Sequence, residues 1–481
     1  MPSSAHALDL PADSPTRWRT PLSEPSWEQT LKRLREHPGA PRFNHEAGDR
    51  LLASDVTALR AFREELRQST RRCFERRPPP ALLEKLQQVL PHVSHLAERL
   101  PEGFRLEHSW EELPTMSRAD LAEHPERLVP DNISLERLLV YRTAGTTGHA
   151  LLVPHEARAA AAYQPLIEHA LSRYGVQLPT EPDKVLCFLL GAQAHTVTYP
   201  CNLSYFGGAG FAKLNLNGAD WPSEQAMLDY LAHFDPPLLT GDPLTFAELL
   251  RLNPMLHPRA LLSTAVAMSP GLKGLLEQRF RCPVIDWYSL TETGPLGYAC
   301  PLGHGYHQLS EDVFLEVLRE DGLCLPPGER GELVVSGGRN PFLPLFRYRT
   351  GDWGSLDFEP CPCGDPLPRL RGLEGRAPVK LISTSGRLVN TVDVSRVLRA
   401  FPILQHELEQ EHTHRIRLRV RPLGVGTPLR LPLLKKALHA LFGEDMELEL
   451  EVDPSLGKRQ AEAGTGDGKL LPYKSRLLLE E

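Results

Sequence analysis

The chain has 481 residues, which at roughly 100–200 residues per domain leaves room for two to four domains and more than one large core. Apolar residues make up 41% and charged residues 24%, ordinary globular usage, and 54 Lys+Arg against 61 Asp+Glu give a net charge of −7. That balance argues against a nucleic-acid partner, no apolar run approaches the roughly 20 residues that cross a bilayer, and eight cysteines are too few for a disulfide scaffold.

In chain order, residues 1–45 are rich in Pro, Ser and charge and read as a poorly ordered leader. Residues 1–21 lack a basic start followed by an apolar stretch, so no secretory signal is expected and the cytoplasm is the default location. Residues 51–71 and 81–100 carry apolar residues at helical spacing, Leu82, Leu83, Leu86, Val89 and Leu90 among them, and predict a helical cap within 46–135. Ser117 stands as an N-cap ahead of Leu121, and a Gly/Thr-rich loop follows across 141–152. From Lys184 onward strands at 185–190, 237–240, 260–266 and 283–287 alternate with helices at 223–234, 244–252 and 270–280. Such alternation implies parallel strands covered by helices, with ligands bound beyond the strands' carboxyl ends. After Gly294 the pattern turns antiparallel, with Val313, Leu315 and Val317 alternating with polar neighbours and a strand at 331–336. Residues 375–378 mark a boundary. Beyond it Thr391 caps a helix bearing Val394, Val397, Leu398 and Phe401, and Ile416, Leu418 and Val420 alternate with arginines. Residues 433–442 form an amphipathic helix, 446–452 a one-sided strand, and 464–476 a mobile Gly/Lys-rich loop. The expected fold is α/β: a large domain over 46–376 with mixed and parallel sheets covered by helices, and a smaller, mobile α+β domain over 377–481.

Five segments carry chemistry. Thr143-Ala144-Gly145-Thr146-Thr147-Gly148 combines glycines that aim successive N–H groups at an anion with hydroxyls that donate to phosphate oxygens. It lacks the Gly-Lys-Ser/Thr ending of a Walker A loop, and an ordinary turn is the alternative. In Trp287-Tyr288-Ser289-Leu290-Thr291-Glu292, after a predicted strand, Glu292 is a hard oxygen ligand suited to Mg²⁺ and Tyr288 an aromatic face for a base. The alternative there is a core aromatic beside a solvated carboxylate. In Tyr348-Arg349-Thr350-Gly351-Asp352, Asp352 is either a turn residue or the acceptor for two ribose hydroxyls. Gly375-Arg376 and Gly468-Lys469 complete the set, Lys469 being otherwise a solvated tail residue. Separately, Cys300, His307, Cys361 and Cys363 offer three sulfurs and one imidazole, a set suited to a closed, structural tetrahedral Zn²⁺ site over 300–363. His304 competes as a ligand, and free thiols in a loop are the alternative.

In order and spacing the five segments resemble the adenylate-forming superfamily of acyl-CoA synthetases, peptide-synthetase adenylation domains and luciferases, across about 104–476. Trp110 to Leu121, and the short distance from the Gly/Thr loop to the chain start, are similar to the phenylacetate–CoA ligase branch. The Cys/His set also resembles metal positions in relatives of that branch. The resemblance implies ATP-dependent activation of a carboxylic acid as an acyl-adenylate with loss of pyrophosphate, then transfer to a thiol, that of coenzyme A or of an acyl-carrier protein. It implies Thr143, Gly145, Thr146, Thr147 and Gly148 around the phosphates, Thr291 and Glu292 at the α-phosphate and Mg²⁺, and Tyr288 near adenine. Asp352 would grip the ribose with help from Arg376. Lys469 would reach the reacting carboxylate from a small domain that rotates after adenylation.

His195 and Tyr199 fall where the superfamily places a residue beside the substrate carboxylate. The acyl pocket is expected between 191–199 and 240–243 with Ala267, Met268 and Trp287, a small and aromatic mixture that favours an aryl acid. No Arg or Lys in those segments offers to bind a second acidic group. Three departures stand out: His149-Ala150 where the phosphate loop often ends in lysine, Ala377-Pro378 where the hinge usually has a flexible polar residue, and Lys474 as a rival to Lys469. A non-catalytic adenylate-binding relative is the competing class, and a homodimer is compatible with the chain.

Overall fold

The computed structural model describes residues 19–70, 73–142, 151–179, 181, 183–193, 196–265, 267–374, 381–386, 388–389, 394, 397–398, 400–423, 428–456 and 473–475. The composition-based leader is corrected at once by α1 (Pro25–Glu36), in which Trp27, Thr30 and Leu34 recur at helical spacing and are buried. Trp27 lies on Gly208, whose φ is +88° and where a Cβ would fall 2.1 Å from the indole ring. α2 (Ala53–Arg67) takes up the predicted amphipathic segment. The next predicted helix is shorter: α3 (Pro80–Val89) passes into a 3₁₀ turn at Leu90–His92, because Pro91 has no N–H to continue the ladder. Ser117 caps α4 (Arg118–Glu123) through a reciprocal bond with Asp120, as its position foretold. β1 (Leu138–Arg142) and β2 (Leu152–Glu156) pair antiparallel, and α5 (Tyr163–Arg173) follows.

A twelve-stranded sheet forms the frame. Its first half contains β3 (Val185–Gly191), β4 (Tyr199–Leu203), β5 (Ala209–Asn215), β6 (Leu238–Gly241), β7 (Ala260–Ser263) and β8 (Val284–Leu290). Its second half contains β9 (Gly294–Ala299), β10 (Tyr306–Gln308), β11 (Val313–Leu318), β12 (Gly331–Gly337), β13 (Leu345–Asp357) and β14 (Arg369–Glu374). The strand order is β11-β12-β13-β14-β10-β9-β8-β7-β6-β3-β5-β4. β8 is the seam: Val284–Asp286 pair in parallel with β7, while Trp287–Leu290 pair antiparallel with β9.

The parallel half is buried on both faces, which is why its strands read as short apolar runs. On one face α6 (Glu224–Phe234), α7 (Pro243–Leu252) and α8 (Pro270–Phe280) bring Tyr230, Phe246, Leu249 and Leu276 against Phe188, Leu190 and Leu214. On the other, Leu59 of α2 and Leu166 of α5 pack on Cys187, Leu262 and Ile285. Each such aliphatic or aromatic side chain contributes about 1.5–3 kcal/mol on burial. The antiparallel half is covered by the helices of 80–128, with Leu86, Leu113 and Leu121 on Leu315, Val335 and Phe346.

Beyond β15 (Leu381–Ile382) and β16 (Leu388–Val389), a four-stranded sheet contains β17 (Ile403–His412), β18 (Arg415–Pro422), β19 (Glu447–Val452) and β20 (Tyr473–Ser475), in the order β19-β18-β17-β20. α9 (Leu431–Phe442) buries Leu434, Leu438 and Phe442 against Leu408, Ile416 and Leu418. β20 corrects the tail reading: residues 473–475 are a strand parallel to β17, with Lys474 ion-paired to Glu407. Residues 375–378 and Thr391 lie outside the described residues. Among the described residues no helix is long and apolar enough to cross a membrane.

Candidate functional site

The seam positions the site. β8 ends at Leu290, and Thr291 and Glu292 turn the chain into β9 just where pairing changes from parallel to antiparallel. Such a switch opens a crevice beyond the strand ends. β13 faces it with a bulge: Val334 pairs with Arg349 and Glu332 with Trp353, so three residues on β13 oppose Leu333 alone on β12. The extra residues are the Thr350-Gly351-Asp352 turn, with Gly351 at φ +75°. It is pinned from below, the Thr350 hydroxyl donating to Leu333 O (2.8 Å), Gly351 N to Glu332 Oε1 (3.1 Å), and Arg349 pairing with Glu332 (2.7 Å). Asp352 is thereby carried out of the ladder toward β8.

Hydrogen bonds join β13 to β8 and to the turn that follows it. The Tyr288 hydroxyl donates to Asp352 Oδ2 at 2.8 Å, and the Tyr348 hydroxyl donates to Glu292 Oε1 at 3.2 Å. Burial, reinforced by Asp352, holds the Tyr288 phenol well above the ordinary tyrosine range, and burial with Glu292 does the same for Tyr348. Both phenols are therefore neutral donors to carboxylates. Arg118 Nη1 lies 2.8 Å from Glu292 Oε1, and Glu292 is 3% exposed. Thr291 O accepts from His155 Nε2 (2.8 Å), which ties β2 to the motif. Burial pulls the His155 pKa down, against the opposing pull of Thr291 O and Glu292, leaving a neutral ring.

The structure thus brings together Tyr288, Thr291, Glu292 and Asp352. Thr143, Gly145, Thr146, Thr147, Gly148, His195, Arg376 and Lys469 lie outside the described residues. Tyr348, in the same motif as Asp352, also joins the site, its inward position following from strand alternation. Arg118 and His155 had no signal in the sequence, because each acts across more than 130 residues of chain.

The ligand atoms of Cys300, His307, Cys361 and Cys363 all lie within 4.8 Å of one another, and His304 falls outside that group although its Nδ1 is 3.6 Å from Cys361 Sγ. Cys300 Sγ is 3.7 Å from Cys361 Sγ, and His307 Nε2 is 3.1 Å from Cys363 Sγ. His307 Nδ1 faces Leu367 O at 3.3 Å and Asp365 at 3.6 Å, the outer support that orients a metal-binding imidazole. These four donors fit zinc. β9 runs from beside Glu292 to Cys300, about 17 Å of strand, so the cluster is remote from the seam site.

Beyond the carboxyl ends of β3, β6 and β7 lies a cavity of about 180 Å³ lined by Gly191, Gln193, Thr196, Gly241, Thr264 and Lys213, among others. Leu404 and Gln405 of β17 close it from the small sheet. The expected segments are present, but Met268 and Trp287 are core residues and do not line it. The expected segments themselves carry no Arg or Lys, but β5, absent from the sequence reading, adds Lys213 to the wall, its register placing it beside Leu189.

The model of the AMP-binding enzyme family matches residues 48–340. The phenylacetate-coenzyme A ligase of Thermus thermophilus is 28% identical over 319 residues, 63% of this chain and 68% of that protein. The oxalate–CoA ligase of Saccharomyces cerevisiae is 27% identical over 172 residues, 31% of this chain and 29% of that protein. Among solved structures, 2-hydroxyisobutyryl-CoA ligase in the postadenylation state, in complex with R3-HIB-AMP, is alike in fold with a TM-score of 0.57 and 16% identity, over 83% of this chain and 86% of that one.

Proposed function

The chain belongs to the AMP-binding enzyme family, and from that premise we propose that it activates a carboxylic acid with ATP and transfers the acyl group to the thiol of coenzyme A. In the first step a carboxylate oxygen attacks the α-phosphorus, an O–P bond forms and the bond to pyrophosphate breaks. In the second the thiol sulfur attacks the acyl carbon and AMP leaves with the carboxylate oxygen. The names of the Thermus and yeast relatives support coenzyme A as acceptor over a carrier protein.

The observation that carries the reading is the meeting of Tyr288 of β8 and Glu292 of the turn after it with Asp352 and Tyr348 of β13 at the sheet seam. Asp352 accepts from the ribose hydroxyls, Tyr288 lies against adenine, and Arg376 assists. Thr143, Gly145, Thr146, Thr147 and Gly148 cradle the phosphates, with Thr291 at the α-phosphate. Glu292 offers Mg²⁺ a hard oxygen, and that ion, when bound, neutralises phosphate charge. Lys469 reaches the reacting carboxylate from the unit over 377–481, which rotates between the two steps. The ion pair that occupies Lys474 with Glu407 supports Lys469 over its rival. Cys300, His307, Cys361 and Cys363 would hold Zn²⁺, which when bound would serve a structural task, joining the β9 end to the loop before β14.

The substrate is an aryl acid held at the ends of β3, β6 and β7 with His195 beside its carboxylate. Because Lys213 reaches that wall, acids bearing a second polar or anionic group belong in the test. The test is pyrophosphate release over a panel of aryl, fatty and dicarboxylic acids, with and without coenzyme A. Release with an aryl acid and a thioester product is expected; no release with any acid would reject the proposal.

A further inference from the structure

Arg118 is unaccounted for by the roles above. Its backbone is fixed: Ser117 caps α4, and the preceding Met116 is stitched to β13, its N–H donating to Arg347 O (3.2 Å) and its carbonyl accepting from Arg349 N (2.8 Å). Arg118 therefore starts its helix next to Tyr348 by construction. Its side chain is 43% exposed, yet its Nη1 makes a 2.8 Å ion pair with the buried carboxylate of Glu292. Tyr348 donates to the same Oε1. A carboxylate so deeply buried needs a compensating charge when no other cation is at hand. Meanwhile the Thr143–Gly148 loop runs into His149, Ala150 and Leu151 with no lysine or arginine, and the nearest fixed positive charge in sequence is Arg142, just ahead of it.

We propose that Arg118 is a phosphate-binding residue that serves two partners in turn: it neutralises Glu292 in the nucleotide-free protein, and it moves to the β- and γ-phosphate oxygens of ATP when Mg²⁺ takes over that carboxylate. The planar guanidinium suits both partners, since each presents two oxygens to its fork. Its exposure and its anchored backbone let the head swing while the Cα stays in place. The proposal rests on the reading of the seam as an ATP site.

The test compares wild type, Arg118→Met and Arg118→Lys, first by Mg·ATP titration in a calorimeter and then by acid-dependent pyrophosphate exchange. Arg118→Met is expected to weaken Mg·ATP binding at least 10-fold and to raise the KM for ATP alike, with the KM for the acid within 2-fold of wild type. Arg118→Lys is expected to recover part of the ATP affinity. AMP, which lacks the β- and γ-phosphates, should bind all three proteins equally, a result that a merely structural role would not give. Should Arg118→Met be folded by thermal melt and bind Mg·ATP like wild type, or should AMP and ATP binding fall together, Arg118 is only the counter-ion of Glu292. If wild type itself binds no Mg·ATP, the ATP-site reading falls, and this proposal with it.

Discussion

Removing the Asp352 carboxylate tests the seam site most sharply, because the turn that presents it does not depend on it. Thr350, Gly351 and Glu332 hold that turn through bonds to Leu333 O, Glu332 Oε1 and Arg349. Asp352→Ala should therefore fold and lose what its carboxylate does, which includes accepting from Tyr288 at 2.8 Å and from the ribose hydroxyls. Hydrogen bonds to a charged acceptor contribute about 1.5–3 kcal/mol each. Losing the two to ribose should cost about 3–6 kcal/mol, which is roughly 100- to 20,000-fold in the KM for ATP. Pyrophosphate exchange with ATP and 2′-deoxyATP gives a second reading: wild type should disfavour the deoxynucleotide by roughly 10- to 100-fold, and Asp352→Ala should treat the two within about 3-fold. An unchanged KM for ATP, or an undiminished preference for the ribonucleotide, would refute the assignment of Asp352 to the ribose.

Three further outcomes are expected. Lys469→Ala should abolish acid-dependent pyrophosphate exchange while leaving thioester formation from added acyl-adenylate within a few fold, whereas Lys474→Ala should chiefly lower the melting temperature by freeing β20 from Glu407; the reverse pattern would exchange their roles. Purified protein should carry about one zinc per chain by elemental analysis, and Cys361→Ser should lose the metal and the stability together; metal-free, equally stable wild type would contradict the structural zinc site. Glu316 is buried with neither carboxylate oxygen hydrogen-bonded and Arg347 Nε 3.6 Å away, and burial pushes its pKa up to about 7 although Arg347 opposes the shift. The folded state thus binds that proton more tightly than the unfolded chain. Its contribution is complete below about pH 4.5 and is lost as pH rises through about 7, a fall of up to about 3 kcal/mol. Denaturant titrations at pH 5 and 8 should show the fall in wild type and a smaller one in Glu316→Gln; equal slopes would disprove it.

The parallel half of the sheet was legible in the sequence because its elements punctuate themselves. Ser223, Asp242 and Ser269 each cap the helix they precede, and prolines open α7 and α8, so 270–280 was placed to the residue. β4 and β5 were not, because their hairpin turns through Gly207-Gly208 directly after the buried aromatics Tyr205 and Phe206, with no alternation to separate the strands. α1 was lost to composition: its charged, solvent-facing positions outnumber the three that it buries. Of the site, Tyr288, Glu292 and Asp352 were legible as local motifs with ordered spacing. Arg118 and Lys213 were not, since one is brought by a capped turn stitched to β13 and the other by the register of an unanticipated strand. Positions set by long-range pairing leave no local trace in the chain.

The central claim is that this crevice joins an organic acid to AMP, and isotope exchange between labelled pyrophosphate and ATP tests it without any thiol present. Label should enter ATP only when a suitable carboxylic acid is supplied, and Glu292→Gln should suppress that incorporation. Incorporation that proceeds without acid, or none with any acid offered to a folded, ATP-binding protein, would contradict it.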